Sequence, residues 1–207
     1  MRQFVRFLLG KVYGGQSLAF PEELIQAAQE QCIKDVQYHF QVPAEEVLKR
    51  ITRNQNEMAI FLYRLGRQVF EHSPERDELL DAVHWLMREC CGCEIYFSCQ
   101  IGEGFYIVHG LGTAICSRTT IGKGFQIYLG STIGHLRDFE DGCVIGDNVI
   151  MMARSSIVGP VRIGDNVVIG SGCEIMSDVP PGITCLVPPG QRQFRVPRRI
   201  GLNRSTE

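Results

Sequence analysis

The sequence predicts an α+β protein: an N-terminal helical bundle followed by a parallel β-helix, a triangular prism with sides six residues long. Three observations predict it. Between Phe20 and Glu89 apolar residues recur at three- and four-residue steps, the period of an amphipathic helix. After Cys93 Ile or Val recurs every six residues, and glycine becomes frequent. A six-residue period is neither helical nor alternating, so neither a bundle nor a flat sheet accounts for it.

The opening stretch MRQFVRFLLGKVYGG combines basic residues with a short apolar run. It lacks the length of a secretory core and a small-residue cleavage site, so an ordinary helix or arm is expected. FPEELIQAAQEQCIKDVQYHF opens on proline and acidic residues, which suit a helix start. Leu24, Ala27, Ala28, Cys32 and Val36 form its apolar stripe. PAEEVLKRITRNQ begins a second helix in the same way, and NEMAIFLYRLGRQVFEHS is a third. SPERDELLDAVHWLMREC is a fourth, with Ser73 as its expected N-cap. His39, His72 and His84 are scattered singly here, where solvation or packing accounts for them.

In the second half Ile95, Ile101 and Ile107 are six apart, as are Ile115, Ile121, Ile127 and Ile133. A third series runs Ile145, Met151, Ile157, Ile163, Ile169, Ile175. Thirteen positions on one period exclude chance spacing in a β-sandwich. Three hexads make one coil, and coils stack at about 4.8 Å, with each inward residue on its counterpart one coil away. IGKGFQ, IGDNVI, IGDNVV and IGSGCE add a glycine after the inward residue, and a small or β-branched residue tends to lie four places from the start. Tyr106, Phe125 and Tyr128 are expected on the outer wall. The domain boundaries follow as 1–93 helical, 94–190 prism and 191–207 basic tail.

The period breaks twice. From Ile107 to Ile115 is eight residues, with HGLG at the break. From Ile133 to Ile145 is twelve, and HLRDFEDGCV is too charged to face inward, so an outward loop is expected. Each break carries a histidine two places after the inward residue, His109 and His135, four sides apart. Gly110 and Gly112 flank the first break, so special backbone presents His109. Arg137 and Asp138 follow His135 and are candidates for contacting an acceptor.

A net charge of -2 points to neither a nucleic-acid nor a membrane partner, and no segment approaches the roughly 20 apolar residues that span a bilayer. A cytoplasmic protein is expected. The nine cysteines are odd in number and fit reduced thiols. Cys90, Cys91 and Cys93 in ECCGCE have no second C-x2-C pair and no histidine partner close by, so the ligand set is incomplete and no metal is expected.

Several blocks together resemble the hexapeptide-repeat acyltransferases, and within them the serine O-acetyltransferases. NEMAIFLYRLGRQVF looks like that family's last helices before the prism, with its Tyr-Arg-Leu-Gly pattern. CEIYFSCQIGEGFYIVHGLGTAI resembles its histidine block, LGSTIG its next turn and SDVPPG its exit from the prism. The resemblance implies a left-handed β-helix, a homotrimer or dimer of trimers, acetyl-coenzyme A as co-substrate and a small acceptor bearing a hydroxyl. It makes His109 the general base, a task that a neutral imidazole near pH 7 suits. Glu94, fifteen residues earlier, takes the place of the carboxylate that orients it. Transfer is expected to be direct, since no cysteine has an adjacent base.

The chain departs from the family pattern at two points. Val108 stands where the family has an aspartate that helps hold the serine amine, and Gly142-Cys143 where it has an Arg-His-Pro stretch. His135 lies in the same loop as that stretch and is the candidate replacement. Without the aspartate, a saccharide or other alcohol stands beside serine as acceptor. The family's small-residue coil corresponds to MMARS, so Met152 and Ala153 are candidate coenzyme contacts. Arg192 and Arg195 in the tail are candidates for its phosphates. A lyase of the carbonic anhydrase kind on this fold would need three converging histidines, and the prism half has two. A non-catalytic trimeric scaffold or regulatory subunit is the alternative.

Overall fold

The computed structural model describes residues 1–134 and 142–187. Five helices come first: α1 (Arg2–Leu9), α2 (Glu22–His39), α3 (Ala44–Arg53), α4 (Gln55–His72) and α5 (Asp77–Cys91). Pro21 and Pro43 precede α2 and α3, and two glutamates in each first turn complement the helix dipole. Asn54 caps α4, its Oδ1 accepting from the backbone N–H of Asn56 at 2.9 Å. Ser73 does not cap α5. The N–H of Arg76 donates to the Ser73 carbonyl at 3.0 Å, so a turn precedes the helix and Arg76 holds the cap position. α4 is the axis of the bundle, buried without a break from Ala59 to Gly66, and packs against α2, α3 and α5. No helix among the described residues is long and apolar enough to cross a membrane.

Fourteen short strands follow among the described residues. The first seven are β1 (Glu94–Ile95), β2 (Gln100–Ile101), β3 (Tyr106–Val108), β4 (Ala114–Ile115), β5 (Thr120–Ile121), β6 (Gln126–Tyr128) and β7 (Thr132–Gly134). The rest are β8 (Val144–Ile145), β9 (Ile150–Met151), β10 (Ser156–Val158), β11 (Arg162–Ile163), β12 (Val168–Ile169), β13 (Glu174–Ile175) and β14 (Thr184–Cys185). They form three parallel sheets, in the orders β1-β4-β7-β10-β13, β11-β8-β5-β2 and β14-β12-β9-β6-β3. From β1 to β13 every third strand shares a face, as a prism of six-residue sides requires; β14 pairs with β12, the side between β13 and β14 being the single bridge of Val179 to Ile163. Ile95, Ile115, Ile133, Ile157 and Ile175 pair in register down the first face. The two breaks in the period leave this register intact: Ile115 still pairs with Ile95 and Ile157 with Ile133.

Each side contributes a second inward residue two places before the first. Cys93, Cys99, Phe105, Phe125, Cys143, Val149, Val167 and Cys173 are buried there. Phe125 therefore lies inside the prism, stacked on Phe105 at 6.1 Å, and not on the outer wall. Tyr106 and Tyr128 do face outward and are half-buried. Where the second position holds a hydroxyl, that group finds a carbonyl: Ser131 and Ser155 donate to Met152 at 2.9 and 2.7 Å. Several of the nine cysteines are thus core residues.

One ion pair ties the bundle to the first coil. Arg64 on α4 forks onto Asp35 of α2 at 2.7 and 2.8 Å and also donates to the carbonyls of Ile101 and Gly102, each at 2.7 Å. Asp35 accepts in turn from the N–H groups of Gly104 and Phe105 at 2.9 and 3.1 Å. Burial pushes the Asp35 carboxyl up, and Arg64 with these N–H groups pulls the other way. Arginine does not give up its proton, so the Arg64 end of the pair stays charged. Tyr63, next on α4, accepts from the Ile101 N–H at 3.1 Å and donates to the Cys99 carbonyl at 3.0 Å. The Tyr-Arg pair of the sequence is the anchor of the prism on the bundle.

Candidate active site

His109 follows β3, where Ile107 enters the core and Val108 stays half-buried outside it. Its backbone is left-handed, with φ 54°. At the regular corners such a conformation falls three residues before an inward residue: Gly112, Gly124, Asn148, Arg154 and Asn166 all obey this. His109 is the one described non-glycine residue in this conformation that does not. For a side chain other than glycine the left-handed region is uncommon, and an outlier of this kind marks a position held by its surroundings.

The surroundings are specific. The Gly110 N–H donates to Asn56 Oδ1 at 2.9 Å, across from the start of α4. The Gly110 carbonyl accepts from Thr113 at 3.1 Å, and Gly112 donates to Gly92 at 2.8 Å. A Cβ on Gly110 would come within 2.6 Å of Ile107 Cγ2, so this position needs glycine. The imidazole itself is exposed and has no hydrogen bond, ion pair or ring contact among the described residues. It borders a cavity of about 430 Å³ whose other wall is the α3–α4 junction, with Arg53, Asn54, Gln55 and Asn56. A larger cavity of about 560 Å³ lies under α1 and carries no comparable group.

Cys91 also borders the His109 cavity. Burial raises its thiol, and pushes Cys93 up to about 12, so neither offers a thiolate near neutral pH. No group of His, Cys, Asp and Glu among the described residues could hold a metal.

Glu94 is placed differently from the spacing argument. Its Oε1 lies 3.3 Å from His84 Nε2 and 3.9 Å from Arg88 Nη1, both on α5, and makes no bond to His109. The cause is connectivity. β1 follows α5 through Gly92, so an outward side chain on β1 turns onto the last turns of that helix. The His84 contact has ion-pair distance without hydrogen-bond geometry, and attracts only when the ring is protonated. The His84 ring also packs edge-on against Tyr96 at 4.8 Å, so this histidine is held by a cluster and not solvated.

Met152 and Ala153 lie on the prism edge that carries His109. Down this edge Gly130 donates to Leu111, Arg154 to Leu129 and Gly172 to Ala153, at 2.9, 3.0 and 3.1 Å. The candidate base and the candidate coenzyme contacts thus share one column. His135, Arg137, Asp138, Arg192 and Arg195 lie outside the described residues. Asn56 and Arg53 were not legible as site residues, because they reach His109 only through the docking of the bundle on the prism.

Comparison with known proteins accords with this architecture. Residues 142–176 match the family model described as bacterial transferase hexapeptide (six repeats). The chain is 32% identical over 130 residues to a serine acetyltransferase of Helicobacter pylori, covering 62% of this chain and 75% of the relative. It is 32% identical over 161 residues to one of Staphylococcus epidermidis, covering 76% and 74%. Among solved structures, a Neisseria gonorrhoeae serine acetyltransferase in complex with serine superposes with a TM-score of 0.68 at 25% identity, over 90% of this chain and 72% of that one. Isoform 3 from Entamoeba histolytica, in complex with cysteine, shares the fold with a TM-score of 0.66 at 22% identity. The match covers 79% of this chain and 58% of the Entamoeba chain.

Proposed function

The chain belongs to the serine acetyltransferase family and is an acyltransferase, and from that premise we propose that it moves the acetyl group of acetyl-coenzyme A onto the hydroxyl of a small acceptor, with His109 as general base. The imidazole takes the hydroxyl proton as the oxygen attacks the thioester carbonyl. The carbon–sulfur bond then breaks, and the coenzyme leaves as its thiol with that proton. The observation that carries this reading is the left-handed backbone of His109, off the regular corners and beside an open cavity. The role does not rest on Glu94, which has its own partners on α5.

On this reading the coenzyme lies along the edge of Met152 and Ala153, with Arg192 and Arg195 at its phosphates. His135, Arg137 and Asp138 attend the acceptor. Serine and a neutral alcohol such as a saccharide are the two acceptor classes. The Neisseria relative holds serine, and Val108 offers no charge to an ammonium group.

Thiol release from acetyl-coenzyme A, measured with amino acids, hexoses and sugar nucleotides, tests the reading. His109→Ala should lower the chemical step by roughly 10²–10⁴-fold and leave coenzyme binding intact, as expected for loss of a positioned base. Near-wild-type turnover by that variant would place the base elsewhere. Coenzyme binding with no acceptor-dependent thiol release would favour the non-catalytic scaffold.

A further inference from the structure

Resting on the reading of His109 as base, we infer that Asn56 is a positioning residue that holds the His109 turn in its reactive shape. Asn56 belongs to the helical bundle, yet its Oδ1 takes the N–H of Gly110, the residue after His109, at 2.9 Å. This bond crosses from the start of α4 to the inserted turn. Gly110 is buried, so without Asn56 its N–H would lose its protein partner at the wall of the cavity.

The turn has a reason to need the bond. His109 holds a left-handed backbone that a side chain other than glycine adopts at a cost, and the imidazole makes no bond of its own among the described residues. Among the described residues nothing at the ring fixes it, and the backbone on either side does so. On the prism side the Gly110 carbonyl and the Gly112 N–H are tied to Thr113 and Gly92. On the bundle side the tie is Asn56. Its own placement is secured by Asn54, whose side chain takes the Asn56 N–H while capping α4. The Asn-Gln-Asn stretch thus converts the docking of the bundle into the orientation of the base. A group displaced by about 1 Å can cost on the order of 10²-fold in rate, so a single hydrogen bond of this kind suffices to matter.

Two variants separate positioning from general stability. Asn56→Ala removes the acceptor oxygen; Asn56→Asp keeps it and adds a negative charge. With L-serine or a hexose as acceptor, Asn56→Ala should lower kcat by roughly 10- to 10²-fold with the KM for acetyl-coenzyme A little changed. Asn56→Asp should keep most of kcat. It should also move the acid limb of the pH–rate profile to higher pH, because a nearby carboxylate favours the imidazolium. Hydrogen exchange of the peptide spanning residues 107–112 gives a readout that needs no acceptor: faster in Asn56→Ala, protected in Asn56→Asp.

Wild-type kcat and exchange in a folded Asn56→Ala would overturn the inference. So would an Asn56→Asp with unprotected exchange or an unmoved acid limb, which decides the matter even if the alanine variant does not fold. His109→Ala in the same assay keeps the two claims apart. Retained turnover there removes the base, while the exchange result still tests the Asn56 bond.

Discussion

At the scale of single residues, the neighbour of Asn56 carries a different burden. Glu57 lies in the first turn of α4 with only 1% of its surface exposed, and its Oε2 has no hydrogen-bond partner among the described residues. Burial pushes its carboxyl above the ordinary value of 4.5, against weaker opposition from a backbone N–H and Arg50. The sign of the consequence follows. The folded state holds the proton more tightly than the unfolded chain, so this group favours folding at pH below 4.5 and loses that contribution as pH rises through the folded value. Glu57→Gln keeps the shape and removes the charge. The variant should gain stability over wild type as pH climbs from 4 towards 8, measured by denaturant unfolding. An equal difference at both ends would mean that the carboxyl is not penalised by burial. His109 was legible in the sequence because it interrupts a period. Glu57 and Asn56 were not, since both sit in an ordinary helical pattern and acquire their roles only from what the prism places against them.

At the scale of elements, the six-residue period fixed the register of the three sheets, and the second inward column was foreshadowed by the small residue four places into each hexad. Phe125 was misassigned to the wall because an aromatic ring is not small, yet near the first coils the interior takes two of them, Phe105 and Phe125. Ser73 failed as a cap because cap chemistry in sequence does not say where the first turn closes. Glu94 turns to His84 and makes no bond to His109, because spacing along the prism takes no account of α5. The junction of α2, α4 and the first coil was visible as a Tyr-Arg pair but not as a mechanism. Removing Arg64 alone, as Arg64→Met, leaves Asp35 buried and unpaired and should cost about 3–5 kcal/mol. Many buried pairs recover when both members become apolar. Here Asp35→Leu with Arg64→Met should stay destabilised, because the carbonyls of Ile101 and Gly102 and the N–H groups of Gly104 and Phe105 lose their partners, at about 1–3 kcal/mol for each one left dry. Denaturant unfolding of the three chains checks this. Full recovery in the double variant would reduce the junction to a simple ion pair.

At the scale of the whole molecule, the prism core is continuous from Ile95 to Ile175, but its outer surface keeps apolar groups in the open. Leu111 is 62% exposed and Leu129 38%, both on the edge that carries His109, and Met176 and Leu186 are exposed as well. Exposed apolar groups on an edge are the kind that association covers, and a closed ring of identical subunits covers them in every copy. The cavity at His109 has a prism wall and a bundle wall and is open between them, so a neighbouring copy on that edge would complete it. The expected species in solution is a trimer, or two trimers together, with light scattering giving about three or six times 23.3 kDa. Leu129→Glu should loosen it, since a charge would then be buried against the next copy, and acceptor-dependent thiol release should fall as trimer is lost. Because Leu129 lies at an exposed corner, the variant should keep its helical and strand content. A wild-type chain of 23.3 kDa at micromolar concentration with full turnover would show that one copy holds the whole site.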